Sequence, residues 1–167
     1  MSFDLYVLMV QETHRVVKER CPPVEERRLR SGGAAWADHV AVTLRLLERA
    51  PYLELHLPAP FKDGRFVEGN TRFNAGRTSN YYHDLFSKKM NVPTRHSLKG
   101  IQELIDGEKV VIKTYNGFHA RNLIVGDVDL LIAMTWGGGD IPKDGGTKHT
   151  WDHSSAETKI HIPLASL

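Results

Sequence analysis

Residues 31–38 read Ser-Gly-Gly-Ala-Ala-Trp-Ala-Asp, and this stretch lies between a short polar segment, 25–30, and an amphipathic helical pattern. We predict a short strand before the stretch and a helix after it. The apolar face of that helix is expected to contain Trp36, Val40, Leu44 and Leu47. Glycines at such a junction let the backbone approach a ligand closely, and the helix start offers free N–H groups that suit a phosphate. The alternative interpretation is a tight turn with a helix cap, and this stretch alone favours that interpretation.

The rest of the chain repeats the alternation of strand and helix. Further strands are predicted at 52–57, 110–114, 128–135 and 159–164, and further helices at 3–21, 79–90, 97–106, 117–126 and 147–157. The segment 128–135 is nearly all apolar, as expected of a strand that is buried on both faces. The sequence therefore predicts one α/β domain over residues 1–167, with a Rossmann-like three-layer α/β/α arrangement and a mainly parallel sheet.

Two segments leave alternatives open. Residues 3–21 are predicted as a helix with Ser2 as its N-cap, but a strand over 3–10 followed by a shorter helix competes with that prediction. Residues 61–78 form a long polar stretch that contains Arg65, Arg72 and Arg77. A loop of this length within a compact domain is usually functional or disordered, and here it could close over a binding site.

Composition and charge exclude several classes of protein. The chain has 167 residues, of which 41% are hydrophobic and 25% charged, and its formal net charge is +2. These ordinary values argue against a general polyanion binder, so nucleic acid is an unfavoured partner. No apolar run approaches the roughly 18 residues that cross a bilayer, and we expect no membrane association. The single cysteine, Cys21, allows no disulfide within the chain, so we expect a cytoplasmic protein and an inert buried thiol.

A second glycine pair, Gly145-Gly146 followed by Thr147, again lies between a strand and a helix. In an open parallel sheet both glycine loops lie at the carboxyl ends of strands, where ligands bind. Two such loops favour anion binding over two unrelated turns. Arg121 lies in the first turn of the helix at 117–126 and could fork onto a phosphate or carboxylate. The alternative is a surface arginine, with Asn122 capping a turn.

These motifs occur in an order that resembles the SLOG superfamily, named for the DNA-processing SMF/DprA proteins and the LOG phosphoribohydrolases. The order is the 31–38 stretch, Arg121-Asn122, an apolar strand and then Gly145-Gly146-Thr147. Within the superfamily the chain is most similar to the small YpsA-like group, whose members carry a Ser-Gly-Gly, alanine-rich, aspartate-containing loop. The resemblance covers roughly residues 24–165, and its signal lies in the order and spacing of short motifs.

The resemblance implies a Rossmann-like sheet that binds a nucleotide or nucleotide-derived small molecule. The ligand-binding residues carried over in this way are Ser31, Gly32, Gly33, Asp38, Arg121, Asn122, Gly145, Gly146 and Thr147. The two glycine runs would form two phosphate loops, and Asp38 would hold a ligand hydroxyl or a neighbouring loop. Neither a cofactor nor a metal is expected.

The chain departs from the hydrolase branch of the superfamily at the second loop. That branch has a glutamate three residues after the loop threonine, where it acts in breaking an N-glycosidic bond. This chain has Thr150 at the corresponding position. Hydrolysis would therefore require replacement of the glutamate by Asp38, Asp144 or Asp152.

A second departure concerns the start of the fold. The superfamily normally begins with a buried central strand, so residues 3–10 are either that strand or the strand is missing. A missing central strand would leave a gap that a neighbouring chain could fill, which makes a homo-oligomer an expectation.

Other side chains carry weaker signals. His149 and His153 are four apart on a predicted helix and share a face, but no third metal ligand is evident, so we expect polar surface. Trp136 and Trp151 flank the second glycine loop, where core packing is more common than stacking on a base. The arginines and aromatics of 61–82 are interpreted as a solvated loop that leads into a packed helix.

Three functions follow as hypotheses. The first is a module that binds or senses a nucleotide-like ligand through its two glycine loops. The second is an enzyme that hydrolyses the N-glycosidic bond of a nucleoside monophosphate. The third is a DNA-binding module, which the small net charge disfavours.

Overall fold

Strands and helices alternate along residues 2–70, 74–105 and 108–167, which are described by a computed structural model. The helices are α1 (Phe3–Arg20), α2 (His39–Leu46), α3 (Ala75–Met90), α4 (Thr94–Glu103), α5 (Phe118–Val125) and α6 (Gly145–His153). The strands are β1 (Arg28–Ser31), β2 (Tyr52–Leu57), β3 (Phe61–Lys62), β4 (Arg65–Phe66), β5 (Val110–Thr114), β6 (Leu130–Thr135) and β7 (Thr158–Pro163). None of the helices in this described part of the chain combines the length and apolar character needed to cross a bilayer.

The strands of the main sheets are parallel. Strand β2 lies between β1 and β5 and is parallel to both, whereas β6 pairs in parallel with β7. Side chains alternate along β2, so that Leu53, Leu55 and Leu57 pack against α2 and α4 while Glu54 and His56 point the other way. Helix α5 contacts β2 as well. The predicted α/β class with parallel strands is confirmed, and the arrangement is compatible with a Rossmann-like fold.

Two apolar clusters hold the elements together. One joins α1, α2 and α3 to the β6–β7 pair, with Met9, Leu44, Phe86, Met134 and Ile162 among its buried residues. The other joins α2 and α4 to β2, β5 and the β3–β4 hairpin. Full burial of a Leu or Phe side chain stabilises a fold by about 1.5–3 kcal/mol, so the clusters supply the main driving force for this arrangement. Because α2 contributes to both clusters, it links the two groups of strands.

The first helix confirms one of the two interpretations of residues 3–21. Helix α1 begins after Ser2, whose hydroxyl accepts a hydrogen bond from the Leu5 N–H at 3.2 Å, as expected of an N-cap. The competing strand over 3–10 is therefore wrong. Cys21, which ends the helix, is half-buried instead of fully buried, and burial raises the pKa of its thiol.

The first strand and the helix after it begin later than predicted. Residues Val24–Glu26 form a single 3₁₀ turn, and β1 starts at Arg28 and not at residue 25. Trp36 lies in a second 3₁₀ turn, Trp36–Asp38, with φ of 67°. The predicted apolar helical face therefore starts only at Val40, and Leu47 is 56% exposed.

The 61–78 stretch is not a free polar loop. It begins with the β3–β4 hairpin, whose turn at Asp63-Gly64 has positive φ at both residues. Asn80 of α3 accepts a hydrogen bond from the Phe66 N–H at 3.0 Å and donates one to the Phe66 carbonyl at 2.9 Å. Phe66 is only 2% exposed, so the hairpin is fixed to the body of the protein. The prediction that this part of 61–78 is a loop that closes over a binding site is therefore wrong. Helix α3 starts at Ala75, four residues earlier than predicted, and Arg72 lies outside the described residues.

The later elements follow the predictions with shifted ends. Strands β2 and β5 match the predicted bounds, and Gly117 and Gly126 flank α5 as expected. Helix α4 starts three residues before the predicted 97–106, whose last residue lies outside the described part. Helix α6 ends at His153, before the predicted end at residue 157.

A cleft of about 980 Å³ separates the two groups of parallel strands. Its walls include Leu29 of β1, Ile132 of β6 and Val17 of α1. Arg30 of β1 reaches across the same region and donates a hydrogen bond to the Ile124 carbonyl at 3.1 Å. Strands β1 and β6, as described, each pair with one neighbour only. The division therefore lies between β1 of one group and β6 of the other.

The unequal pairing of the strands predicts unequal hydrogen exchange. Amide protons of β2, which is paired on both sides, should exchange most slowly, and those of β1 and β6 faster, because half of their backbone groups lack a ladder partner. Native-state exchange measured residue by residue tests this. Equal protection of β1, β2 and β6 in dilute protein would contradict the divided sheet, whereas protection that grows with protein concentration would indicate strand addition by another chain.

Candidate ligand-binding site

The candidate site is formed where strands end and helices begin. Ser31 is the last residue of β1, α5 starts shortly after β5, and α6 starts after the loop that follows β6. In parallel α/β sheets this carboxyl edge is the usual place for ligands. The structure therefore brings both glycine runs to the edge of the fold at which the sequence placed them.

The first glycine loop is held in shape by its own polar groups. Gly33 has φ of 63°, and a Cβ there would lie 2.3 Å from Leu57 Cδ2, so only glycine fits. The Ser31 hydroxyl accepts a hydrogen bond from the Gly33 N–H at 3.2 Å and donates one to the Asp38 carbonyl at 2.7 Å. Ser31 thus fixes the loop rather than pointing outward toward a ligand.

Gly32 lies directly beneath an ion pair. Arg121 Nη1 of α5 is 3.1 Å from Asp38 Oδ2. A Cβ added to Gly32 would fall 1.8 Å from Arg121 Nη1 and 2.5 Å from Asp38 Oδ2, which is closer than atoms can approach. The absence of a side chain at Gly32 is therefore what lets Arg121 reach Asp38 across the glycine loop.

Arg121 is buried, which rules out the interpretation as a surface arginine. The residue is 7% exposed, and its Nε is a buried nitrogen with no hydrogen-bond partner among the described residues. Arg121 Cζ also lies 5.8 Å from the centre of the Phe118 ring. A buried charge is costly unless its hydrogen-bonding groups are satisfied, so an incompletely paired guanidinium marks a position suited to an anion.

Asn122 contacts the second glycine loop. Its Nδ2 lies 3.5 Å from the Gly146 carbonyl, at the long end of the hydrogen-bond range, and the residue is buried. Gly145 has φ of 71° and begins α6, and Thr147 is exposed in its first turn. Adjacent residues of α5 therefore contact both glycine loops, since Arg121 reaches the first and Asn122 the second.

A buried histidine that the sequence reasoning missed supports the first loop. His83 of α3 is fully buried, and its Nε2 lies 3.1 Å from the Gly33 carbonyl. Because a carbonyl only accepts, Nε2 carries the proton, and Nδ1 accepts from the Thr94 hydroxyl at 3.1 Å. The Ser87 hydroxyl lies 2.9 Å from that of Thr94 and extends the chain of hydrogen bonds. His83 is 50 residues from Gly33, and no motif or spacing in the sequence signals the contact.

A second buried histidine, His39, begins α2 beside the first. Its ring centre lies 5.8 Å from that of His83 and 5.4 Å from that of Phe86. Burial lowers the pKa of His39 to about 3, with a smaller contribution from His83, and burial also lowers the pKa of His83. Both rings are therefore neutral near pH 7, which leaves Arg121 as the cation nearest to the first glycine loop.

Three of the remaining histidines lie close together on α5 and α6. His149 stacks on His153 with ring centres 4.4 Å apart, and His119 lies 5.1 Å from His149. Across residues 2–70, 74–105 and 108–167, however, no group of three or more His, Cys, Asp or Glu side chains is arranged to hold a metal ion. His161 forms close contacts with Thr135 and with the Gly139 carbonyl.

The tryptophans beside the second glycine loop differ from each other. Trp136, directly after β6, is 59% exposed, so the expected core packing is wrong for this residue. Trp151 in α6 is half-buried and lies edge-on to His161. Arg77 of α3 is exposed and pairs with Glu68 at 3.2 Å, as expected of a solvated surface.

Fold and site together define an α/β protein with parallel strands and a polar junction at their carboxyl edge. No protein-family model matches the chain, and no solved structure matches it. The chain is 31% identical over 167 residues to the uncharacterized protein R261 of Acanthamoeba polyphaga mimivirus, a match that covers 99% of this chain and 87% of the viral protein. It therefore belongs to the same family as R261.

Proposed function

We propose that the chain binds a nucleotide or nucleotide-derived small molecule, with a phosphate of the ligand between the two glycine loops. The observation that carries the proposal is Arg121, a buried guanidinium that crosses Gly32 and keeps one N–H without a partner among the described residues. Arginine binds phosphate through a planar fork of donors. A guanidinium fixed in this way is set for an anion before the ligand arrives.

The start of α6 supports the same proposal. Asp144 occupies the N-cap position but makes no side-chain hydrogen bond to the helix. The first N–H groups of α6 are thus left without that cap, next to Gly145 and Gly146. Helix starts of this kind attract anions through free N–H groups and a partial positive charge. Because Asn122 contacts Gly146 and follows Arg121 directly, it would hold the start of α6 and Arg121 close enough to bind the same ligand.

The resemblance to the YpsA-like group of the SLOG superfamily supplies the ligand class. In this proposal Asp38 and Asn122 face the ligand together with Arg121, and the setting is cytoplasmic, in keeping with a single free thiol. Hydrolysis is not part of the proposal, because Asp38 is engaged by Arg121, Asp152 pairs with Lys148 at 2.5 Å and Asp144 is exposed.

Thermal unfolding with a panel of ligands tests the proposal. Adenosine and guanosine monophosphates at millimolar concentration should raise the melting temperature, because a ligand that binds only the folded state stabilises it by mass action. Adenosine, which has the same base and ribose but no phosphate, is the matched control and should shift it much less. The absence of a shift with every phosphate-bearing ligand at millimolar concentration would refute the proposal.

A further inference from the structure

The Asp38 carboxylate holds the donors that a phosphate would use. Its Oδ2 lies 3.1 Å from Arg121 Nη1 and 3.3 Å from the backbone N of Ala34. A backbone N–H of a glycine loop and an arginine fork are both typical donors to phosphate. In this structure the two donors converge on a carboxylate of the chain itself, directly over Gly32.

We propose that Asp38 is an internal competitor of the ligand, so that only an anion with strong contacts to the two donors, such as a phosphate, occupies this site. The inference rests on the proposed function, since it concerns how the same site chooses its anion. Without ligand, the Asp38 carboxylate occupies the anion position and accepts hydrogen bonds from Arg121 and from the Ala34 N–H. A phosphate binds by displacing the carboxylate from both donors.

The two partners of the ion pair differ in their freedom to move. The Arg121 side chain is 8% exposed and is fixed by its surroundings, whereas that of Asp38 is 30% exposed and can turn toward solvent. Displacement of Asp38 therefore leaves the guanidinium in place. Once released, the carboxylate can accept a hydrogen bond from a ligand hydroxyl, which suits a phosphate that is carried on a ribose.

The competition lowers the affinity of the site for every anion by the same factor, because each anion must displace the same tethered carboxylate. A tethered group acts at a high effective concentration, so a free carboxylic acid with the same chemistry cannot replace it efficiently. A phosphate brings more negative charge and additional acceptor oxygens, which strengthen its contact with the guanidinium and the N–H. A phosphate ester has contacts strong enough to displace Asp38, whereas a simple carboxylate has not.

Titration calorimetry with inorganic phosphate tests the inference. We compare the unmodified protein with Asp38→Ala and with the control Asp129→Ala, which makes the same change in net charge just before β6, at the opposite edge of the sheet. If the site is open about a tenth of the time, Asp38→Ala should bind inorganic phosphate about tenfold more tightly. The Asp129→Ala protein should bind it like the unmodified protein. Acetate should raise the melting temperature of Asp38→Ala alone, because it fills the position of the removed carboxylate.

The outcomes separate the inference from the proposed function. If Asp38→Ala binds inorganic phosphate no more tightly than the unmodified protein, Asp38 merely positions Arg121 and the inference is overturned. If neither protein binds phosphate or the nucleotide, both proposals are overturned. Asp38→Asn, which keeps the size of the side chain and removes its charge, serves if the alanine variant does not fold, and a smaller gain in affinity is expected.

Discussion

Arg121→Leu is expected to lower the affinity for adenosine monophosphate by about 30-fold or more. Truncating one member of a buried, charged hydrogen-bond contact costs about 2–5 kcal/mol, and each 1.4 kcal/mol corresponds to tenfold in affinity. Removal of the guanidinium also leaves the Asp38 carboxylate without its partner beside the ligand phosphate, which adds repulsion. Titration calorimetry of the folded variant measures the loss.

Two further variants make the result specific. Arg77→Leu removes the same charge from an exposed surface of α3 and should leave the affinity unchanged. Gly32→Ala keeps Arg121 but adds a Cβ within 1.8 Å of its Nη1, so the guanidinium must move and binding should weaken as well. Unchanged affinity in a folded Arg121→Leu protein would show that the anion site lies elsewhere.

Acid is expected to destabilise the fold through His39. The pKa of His39 is about 3 in the folded protein, below the usual value of 6.5, so between these pH values the unfolded chain binds more protons. The free energy of unfolding therefore falls as the pH falls, by about 1.4 kcal/mol per pH unit, or about 2 kcal/mol from pH 6.5 to pH 5. This contribution is fully present above pH 6.5. Burial of His83 acts in the same direction.

Comparison of variants isolates this effect from other groups that titrate in acid. His39→Phe places another aromatic ring beside Phe86 and removes the titrating group. Between pH 6.5 and pH 3 the slope of the free energy of unfolding against pH should fall by the amount that corresponds to nearly one proton. The same substitution at His96, which is exposed on α4, should leave the slope unchanged. Denaturant unfolding at a series of pH values measures the slope, and an unaltered slope in His39→Phe would contradict the burial of a neutral ring.

Periodicity predicted the regular elements whose side chains alternate or repeat clearly. Strand β2 shows three buried leucines at every second position, and its predicted and observed bounds agree. The β3–β4 hairpin was missed because its two-residue strands show no period and because Lys62 and Arg65 make it polar. The signal that could have revealed it is Asp63-Gly64, a dipeptide typical of tight hairpin turns.

The sequence also placed the separate parts of the site but not the contacts between them. Asp38 and Arg121 are 83 residues apart, and only the contact of α5 with the segment that follows β1 shows that they pair. Trp36 was predicted in the helix because its apolar ring fits the helical period. In the structure Trp36 adopts φ of 67°, and its ring centre lies 4.5 Å from that of Phe86. Tertiary packing therefore overrides the helical period of the sequence.

A crystal structure of the protein grown with millimolar adenosine monophosphate tests the central proposal most directly. We expect electron density for the phosphate between Gly33 and Gly146, within hydrogen-bond distance of Arg121, with the Asp38 carboxylate turned away from the Ala34 N–H. Density for the nucleotide at another surface would contradict the proposed site, and an Asp38–Arg121 pair unchanged at saturating nucleotide would contradict the proposed role of Asp38.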